Sequence, residues 1–183
     1  MIEISSFSNP KFKHLKSLSK SKKRKEDGVF LVEGRVELEV ALRAGFVPTE
    51  VVYAESYIDL EELSKLCDLD RIELLRLTKS LFDDLTYQNV PGNFLAIFQS
   101  WDLGLDDLKD DSIVVVLEGI EKPGNLGAVL RSCDAAGIKN VLLTNSEIDL
   151  FNPNVIRNSR GALFTTRVVR ATNEKALEYL QFK

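Results

Sequence analysis

The feature that most limits the fold of this sequence is an apolar run followed by a glycine-containing turn and an amphipathic segment. The run "SIVVVLEG" (112–119) precedes "EKPGNLGAVLR" (121–131), and "SCDAAGIKNVLLT" follows. The run predicts a buried strand. Apolar spacing predicts a helix from about Asn125 to Ala136, with its inward face formed by Leu126, Val129, Leu130, Cys133 and Ala136. This order is typical of parallel α/β sheets, in which ligands bind beyond the strand ends.

The glycines predict how this helix is held and what approaches it. Gly124 permits a turn conformation closed to other residues, and Gly127 allows the helix to pack closely on the sheet. Arg131 lies outside the apolar face, four residues after Gly127, so a ligand that reaches the backbone there would meet its guanidinium. The alternative is that Arg131 only pairs with Asp134 and that Asn125 only caps the helix.

Two nucleotide-binding motifs are incomplete in this turn. "GIEKPGNL" has the glycine spacing of a Walker A loop, but Asn125 and Leu126 stand where lysine and serine or threonine belong. The GxGxxG dinucleotide pattern is also missing, since Gly124 and Gly127 form only its second half. A doubly wound enzyme that uses another nucleotide remains a minor alternative.

Strand and helix patterns alternate over most of the chain and predict two α/β domains. Residues 1–99 begin with "SNPKFKHLKSLSK", a helix capped by Ser8 or Asn9, and continue through "GVFLVEG", "RVELEVALRAG" and "EVVYAE", so we expect a mainly parallel sheet. The acidic segment 100–111, "SWDLGLDDLKDD", is predicted to be a linker on which Trp101 and Leu103 dock against a domain. Residues 112–183 contain three strand–helix units, half of a doubly wound sheet.

The charge of the chain is divided unevenly. Residues 1–25 carry eight basic side chains and one acidic one, a net charge of +7, and the remainder carries −11. A basic arm on an acidic body suits binding of a phosphate backbone, and Lys22, Lys23 and Arg24 are its densest part. A frayed, solvated terminus is the alternative. Four arginines, Arg157, Arg160, Arg167 and Arg170, form a second basic zone without intervening acidic residues.

Other site classes have little support in the sequence. Cys67 and Cys133 are far apart without a CxxC pattern, and His14 is the single histidine, so a disulfide framework, a catalytic triad and a metal site are not expected. No apolar stretch has the length of a membrane helix, and residues 1–13 lack the apolar centre of a signal peptide. We therefore expect a cytoplasmic protein.

Longer segments of the chain resemble a known family. "LEGIEKPGNLGAVLRSCDAAGIKNVLLT" and "FNPNVIRNSRGALFTTRV" are similar to the first signature and a later Pro-x-x-x-Arg-x-Ser-x-Gly-Ala segment of the SpoU (TrmH) RNA ribose 2'-O-methyltransferases. The N-terminal "SNPKFKHLKSLSKSKKRKEDGVFLVEG" resembles the substrate-binding domain of that family. The resemblance implies a small RNA-binding α/β domain (1–99), a linker (100–111) and a mainly parallel-sheet SPOUT (α/β knot) domain (112–183), incomplete at its C-terminus.

The resemblance also implies roles for individual residues. Asn125 and Arg131 are similar to a polar pair at the catalytic centre, and Gly127 between them would give the substrate access. Arg160, Ser159 and Arg157 belong to a block expected to contact the RNA near the active site. Because a guanidinium holds its proton tightly, we favour electrostatic positioning of the ribose by Arg131 over proton abstraction.

The expected activity is methyl transfer from S-adenosylmethionine to a ribose 2'-hydroxyl of ribosomal or transfer RNA. The glutamate-containing loop and the Ser-Leu-Asn segment that wrap the methyl donor in this family are expected beyond Lys183, so no residue of this chain is assigned to the cofactor. A homodimer without a metal is expected from the resemblance. A non-catalytic RNA-binding module on the same scaffold is the alternative.

Overall fold

The computed structural model of the protein describes residues 1–86, 94–109 and 113–181. The chain divides into two compact units, Met1–Ser100 and Trp101–Lys183. Each unit has its own sheet and its own buried residues, which agrees with the α/β fold class expected from the sequence.

The first unit contains a five-stranded sheet in the order β1-β4-β3-β5-β2. Its strands are β1 (Ile2–Ile4), β2 (Val29–Glu33), β3 (Glu50–Tyr53), β4 (Glu73–Leu77) and β5 (Phe94–Gln99). β1, β4 and β3 are parallel, but β5 is antiparallel to both β3 and β2. The sheet is therefore mixed: the expectation of a mainly parallel sheet in this half holds for β1, β4 and β3 but fails at β5, because alternation of strands and helices does not fix the direction of each strand.

The described residues of the first unit also form five α-helices: α1 (Pro10–Ser17), α2 (Ser21–Asp27), α3 (Arg35–Arg43), α4 (Leu60–Ser64) and α5 (Lys79–Leu85). Asn9 caps α1 by accepting a 2.8 Å hydrogen bond from the Lys11 amide, and Pro10 occupies the first helical position. Phe12 and Leu15 of α1 are buried in the core beside residues of β1, β3, β4 and β5. The N-terminal arm is therefore part of the folded unit and not a frayed tail.

The second unit contains a parallel three-stranded sheet in the order β6-β7-β8. The strands are β6 (Val114–Glu118), β7 (Asn140–Thr144) and β8 (Arg167–Ala171), and the helices are α6 (Pro123–Ala135), α7 (Pro153–Ser159) and α8 (Asn173–Gln181). Every residue of the central strand β7 is buried. The mainly parallel sheet predicted for this half is confirmed.

Residues 101–109 of the predicted linker pack within the second unit. The Trp101 ring contacts Phe151 edge-on, with 4.9 Å between centroids, and lies 5.7 Å from the Phe164 ring. Leu108 is buried in a cluster with residues of β7, β8 and α8, and the Asn140 side chain donates to the Lys109 carbonyl at 3.0 Å. The expected docking of Trp101 is therefore seen.

The glycines of this turn differ from the expectation in backbone conformation and in packing. α6 begins at Pro123, two residues earlier than predicted, so Gly124 is helical and the residue with a positive φ in this turn is Gly119, at 63°. Gly127 is buried and faces α7 instead of the sheet. A Cβ at this position would lie 2.7 Å from the Val155 carbonyl oxygen and 2.9 Å from the Ser159 nitrogen. The expected open approach for a substrate at Gly127 is closed, because the backbone of α7 occupies it.

Hydrogen bonds to Asp134 form a second contact, at the C-terminal end of α6. The Asp134 carboxylate accepts hydrogen bonds from Lys139 Nζ at 2.5 Å and from Thr165 Oγ1 at 2.7 Å. These two bonds, that of Lys139 first, lower the pKa of Asp134. The bond to Thr165 joins α6 to the segment that leads from α7 into β8.

Substitution of Gly127 by alanine tests the α6–α7 contact. We expect the free energy of unfolding of the second unit to fall by about 1–3 kcal/mol, since the added methyl group would overpack a backbone contact. Urea unfolding followed by the fluorescence of Trp101, the single tryptophan, measures it. Gly124→Ala is the control, because its Cβ would lie 3.7 Å from the Asn158 amide and a helical alanine should add about 0.5–1 kcal/mol. Equal stability of Gly127→Ala and the parent protein would contradict this account.

Substitution Asp134→Asn tests the hydrogen bonds to Asp134 through the pH dependence of the free energy of unfolding. A folded-state pKa lowered below the usual value of about 3.9 contributes stability above that pH, and the contribution is lost as the pH falls through the folded pKa. We expect Asp134→Asn to lower the unfolding free energy by about 1 kcal/mol near pH 7, with a smaller difference below about pH 4. Glu178→Gln, at an exposed carboxylate of α8, is the control variant, and an equal effect of both substitutions at every pH would contradict the proposed role of Asp134.

Candidate functional site

Arg131 projects from α6 into solvent. Its side chain is exposed and, within the described part of the chain, makes no hydrogen bond or ion pair. The alternative in which Arg131 only pairs with Asp134 is wrong, because Asp134 is bound to Lys139 and Thr165. An exposed guanidinium without a partner keeps all its donors available for an anion.

One face of α6 is covered by the chain segment that runs from α7 to β8. Gly127 and Asp134 lie on this face, since seven residues make nearly two helical turns. The segment is fixed at two points: Asn158 of α7 contacts Gly127, and Thr165 donates to Asp134. A 3-10 turn at Ala162–Phe164 lies between these points.

Arg131 and Arg160 both lie between these two fixed contacts. Arg131 is four residues beyond Gly127 and three before Asp134, so it shares their face of α6. Arg160 follows α7 and is exposed. Both arginines are exposed: Arg131 lies on α6, and Arg160 lies in the segment that covers this face of α6.

The backbone of Arg160 has the left-handed conformation, with φ 53°. This region is unfavourable for a side chain larger than glycine and is found most often where the surrounding structure imposes it. Ser159 is 1% exposed and donates to the Ile156 carbonyl at 2.8 Å, so its hydroxyl does not reach a ligand, contrary to the expectation. Arg157 is half-buried and donates to the Asn154 side chain at 3.1 Å.

Asn125 is exposed in the first turn of α6. Six residues separate it from Arg131, which corresponds to about 120° around the helix axis and about 9 Å along it. The two side chains therefore do not form a contacting pair, and a single ligand would have to span the helix to reach both. The catalytic role of Asn125 stays a prediction.

The basic arm is partly neutralised by the fold. Arg24 is 3% exposed and donates to the carbonyls of Leu18 and Ser19 at the end of α1. The expectation that Arg24 contacts RNA is therefore wrong, because its guanidinium is buried. Lys23 pairs with Asp27 at 2.7 Å, a bond that raises the pKa of the lysine. Five lysines are exposed in this region: Lys13, Lys16, Lys20, Lys22 and Lys25. Of these, Lys16 and Lys22 have ion pairs among the described residues, at 2.5 Å from Asp84 and 3.8 Å from Glu26, so Lys13, Lys20 and Lys25 are left without one.

Polar groups gather at the carboxyl ends of β6 and β7, where parallel sheets bind ligands. Gly119 and Asn145 both have positive φ, and the Asn145 amide donates to the Glu118 carboxylate at 2.9 Å. Ser146 Oγ donates to the Ile120 carbonyl at 2.7 Å. A Cβ at Gly119 would meet nothing within 4 Å. This edge offers a carboxylate, an amide and open backbone, a set that fits one side of a nucleoside-binding site.

Other chemistry finds little support among the described residues. No group of three or more histidine, cysteine, aspartate or glutamate side chains there could hold a metal ion. Burial raises the pKa values of the Cys67 and Cys133 thiols, which disfavours the reactive thiolate. No helix in this part of the chain is long and apolar enough to cross a membrane.

Comparison with protein-family models gives a match for each half of the chain. Residues 112–183 match the SpoU rRNA Methylase family. Residues 9–96 match the MRM3-like substrate binding domain. The first match contains α6, α7 and both exposed arginines, and the second contains the basic helix α2.

Relatives with assigned names are RNA methyltransferases longer than this chain. The 23S rRNA (guanosine(2553)-2'-O)-methyltransferase RlmP of Bacillus subtilis is 29% identical over 171 residues, 93% of this chain and 65% of that protein. The mitochondrial rRNA methyltransferase 3 of Mus musculus is 30% identical over 155 residues, 80% of this chain and 36% of that protein. The chain thus spans less than two thirds of either relative.

Solved structures share this fold over almost the whole chain. A crystal structure of an RNA 2'-O ribose methyltransferase has a TM-score of 0.83 and 34% sequence identity, with 99% of this chain and 70% of that one aligned. An AdoMet-bound rRNA methyltransferase from Sinorhizobium meliloti has a TM-score of 0.86 and 25% identity, with 98% and 68% aligned. The chain belongs to the SpoU rRNA methylase family.

Proposed function

We propose that the protein takes part in methyl transfer from S-adenosylmethionine to a ribose 2'-hydroxyl of RNA, with ribosomal RNA favoured over transfer RNA. The observation that carries this proposal is the exposed guanidinium of Arg131, which has no hydrogen bond or ion pair among the described residues and lies on a helix covered on one face by the segment that contains the exposed Arg160. Both residues lie in the segment that matches the SpoU family. The names of the relatives as rRNA methyltransferases support the choice of RNA.

The two arginines would hold the RNA backbone around the target ribose. A guanidinium binds phosphate oxygens with two parallel hydrogen bonds. Arg131 and Arg160 would therefore bind either two successive phosphates, or one phosphate and the attacking 2'-oxygen. Arg131, anchored in a helix held at both ends, would stabilise the negative charge that develops on the 2'-oxygen. The left-handed backbone at Arg160 fixes the direction in which the second side chain leaves α7.

The methyl donor would lie beyond the carboxyl ends of β6 and β7. When bound, S-adenosylmethionine supplies an activated methyl group on its sulfonium. From this chain, the Glu118 carboxylate, held by Asn145, and the open backbone at Gly119 would contact its adenosine or amino-acid groups. These residues form one side of a site.

The first unit would grip the RNA away from the reacting nucleotide. Lys13, Lys20, Lys22 and Lys25 present exposed ammonium groups on and beside the short basic helix α2. Neutralised phosphates release counterions, so this contact should dominate the salt dependence of binding. A homodimer and a cytoplasmic location are further proposals from the family resemblance.

Substitution Arg131→Ala tests the proposed role of the guanidinium. We expect transfer of labelled methyl groups from S-adenosylmethionine to an rRNA fragment to fall by at least about a hundredfold, the typical cost of one lost charge-stabilising donor. Affinity for the same RNA should change by only a few fold, since many other contacts remain. Filter binding and methyl incorporation measure the two quantities on the same preparation.

Arg43→Ala, at an exposed arginine of α3 in the first unit, is the matched control and should leave transfer unchanged. Unchanged turnover of Arg131→Ala would remove this residue from the mechanism. RNA binding by the parent protein without methyl incorporation, and without binding of S-adenosylmethionine in calorimetry, would favour the RNA-binding module instead.

Substitution of Lys20, Lys22 and Lys25 by glutamine tests the proposed binding of RNA phosphates by the first unit. The slope of log K against log salt for an rRNA fragment should fall by about 2 to 3, since each phosphate contact contributes about 0.7 to 0.9. Lys65→Gln, at the lysine that follows α4 and pairs with Glu61, should leave the slope unchanged. An unchanged slope in the triple variant would place the RNA on another surface.

A further inference from the structure

A cleft lies at the carboxyl ends of three parallel strands in the first unit. It has a volume of about 330 Å³ and is lined by residues of β1, the turn after β3, and β4 with the residues that follow it. Polar side chains predominate in its lining: Glu3, Ser5, Glu55, Arg76, Thr78 and Lys79. A volume at the lower end of the range for ligand sites suits one small ring system.

Arg76 lines this cleft, and each of its two terminal nitrogens donates a hydrogen bond to a carboxylate. Glu3 lies opposite Arg76 in the β1–β4 register, and its carboxylate accepts from Arg76 Nη2. The Glu55 carboxylate accepts from Arg76 Nη1 at 2.5 Å. Opposed carboxylates fix the plane of the guanidinium, whose side chain is still 31% exposed. A flat, oriented guanidinium is a stacking surface for a nucleobase.

The charge around Arg76 indicates which kind of ligand the cleft accepts. Two carboxylates on one guanidinium leave the three side chains with a net negative charge. Lys79 does not offset it, because its ammonium is bound to Asp83 at 2.7 Å and lies 5.1 Å from the Tyr57 ring centroid. A phosphate group would be repelled here, whereas a ring that donates hydrogen bonds would be attracted.

Stability alone does not account for this arrangement. The side chains of Glu3 and Glu55 are 63% and 59% exposed, and ion pairs at such positions contribute about 0–1 kcal/mol. Each of these carboxylates keeps unused acceptor capacity toward solvent. The geometry is therefore better suited to binding than to holding the sheet together.

We propose that the cleft at Glu3, Arg76 and Glu55 binds one unpaired guanine base of the RNA, an inference that rests on the proposed function. The guanine ring would stack on the Arg76 guanidinium. Its N1–H and N2–H groups, two adjacent donors that no other common RNA base presents together, would bind the Glu55 carboxylate. This site would let the first unit read one base, while the exposed lysines contact the backbone without regard to sequence.

NMR titration of the whole 183-residue chain with the trinucleotides UpGpU, UpIpU and UpApU tests the proposal. UpGpU should shift the amide resonances of residues that line the cleft and should bind at least about tenfold more tightly than UpApU, as expected for one bidentate contact. UpIpU, which lacks the 2-amino group, should fall between them. In Glu55→Gln the preference for guanine should be lost, while thermal unfolding stays unchanged. Glu61→Gln, at an 80% exposed carboxylate on α4, is the matched control.

Equal shifts from all three trinucleotides, shifts outside the cleft, or an undiminished preference in Glu55→Gln would overturn the proposal. Binding of N-acetyl-arginine amide in the cleft, without discrimination among the trinucleotides, would assign it to a basic protein side chain and would also overturn the proposal. Because an rRNA fragment is titrated in parallel, failure of the guanine site remains distinguishable from failure of RNA binding as a whole.

Discussion

The second unit depends on one close backbone contact, the approach of α7 to α6 at Gly127. Atoms of Val155 and Ser159 occupy the space in which a side chain at residue 127 would lie. With the hydrogen bond from Thr165 to Asp134, this contact fixes the segment between α7 and β8 at two points. Arg160 lies in this segment, and Arg131 lies on α6 four residues beyond the contact at Gly127. The glycine therefore sets how closely the segment that carries Arg160 approaches the helix that carries Arg131.

The fold selects a few cations from a sequence that contains many. Arg24 caps the end of α1, and Lys23 is bound to Asp27, so the densest part of the basic run is largely neutralised within the first unit. What remains exposed of the basic run is a smaller set of lysines, and among the arginines of the second unit Arg131 and Arg160 are the exposed ones in the described residues. Net charge alone would overstate the surface available to RNA, because a cation already held by a carbonyl or carboxylate gives little to a phosphate.

Several features could be predicted from the sequence because they depend on local patterns. The β6–α6 unit, the helix cap at Asn9 and the exposure of Arg131 follow from periodicity and capping rules. Three others could not be predicted. The direction of β5 depends on strand pairing, and the burial of Ser159 and Gly127 depends on α7. The αL conformation of Arg160 occurs at the C-cap of α7, where glycine is the residue usually expected. The Glu3–Arg76–Glu55 cleft was not predicted, because these residues lie on three segments that only the strand order of the sheet brings together. The sequence did show a charged residue near the end of each of these three strands.

In the proposed mechanism, the exposed guanidinium of Arg131 acts on the RNA at the reacting ribose. A structure of the protein with an rRNA fragment and a non-transferable analogue of S-adenosylmethionine measures this directly. The account predicts the Arg131 guanidinium within about 3 Å of a phosphate or ribose oxygen of the nucleotide whose 2'-hydroxyl faces the analogue, with Arg160 on the adjoining backbone. An RNA that lies on another face of α6, with Arg131 left in solvent, would contradict it.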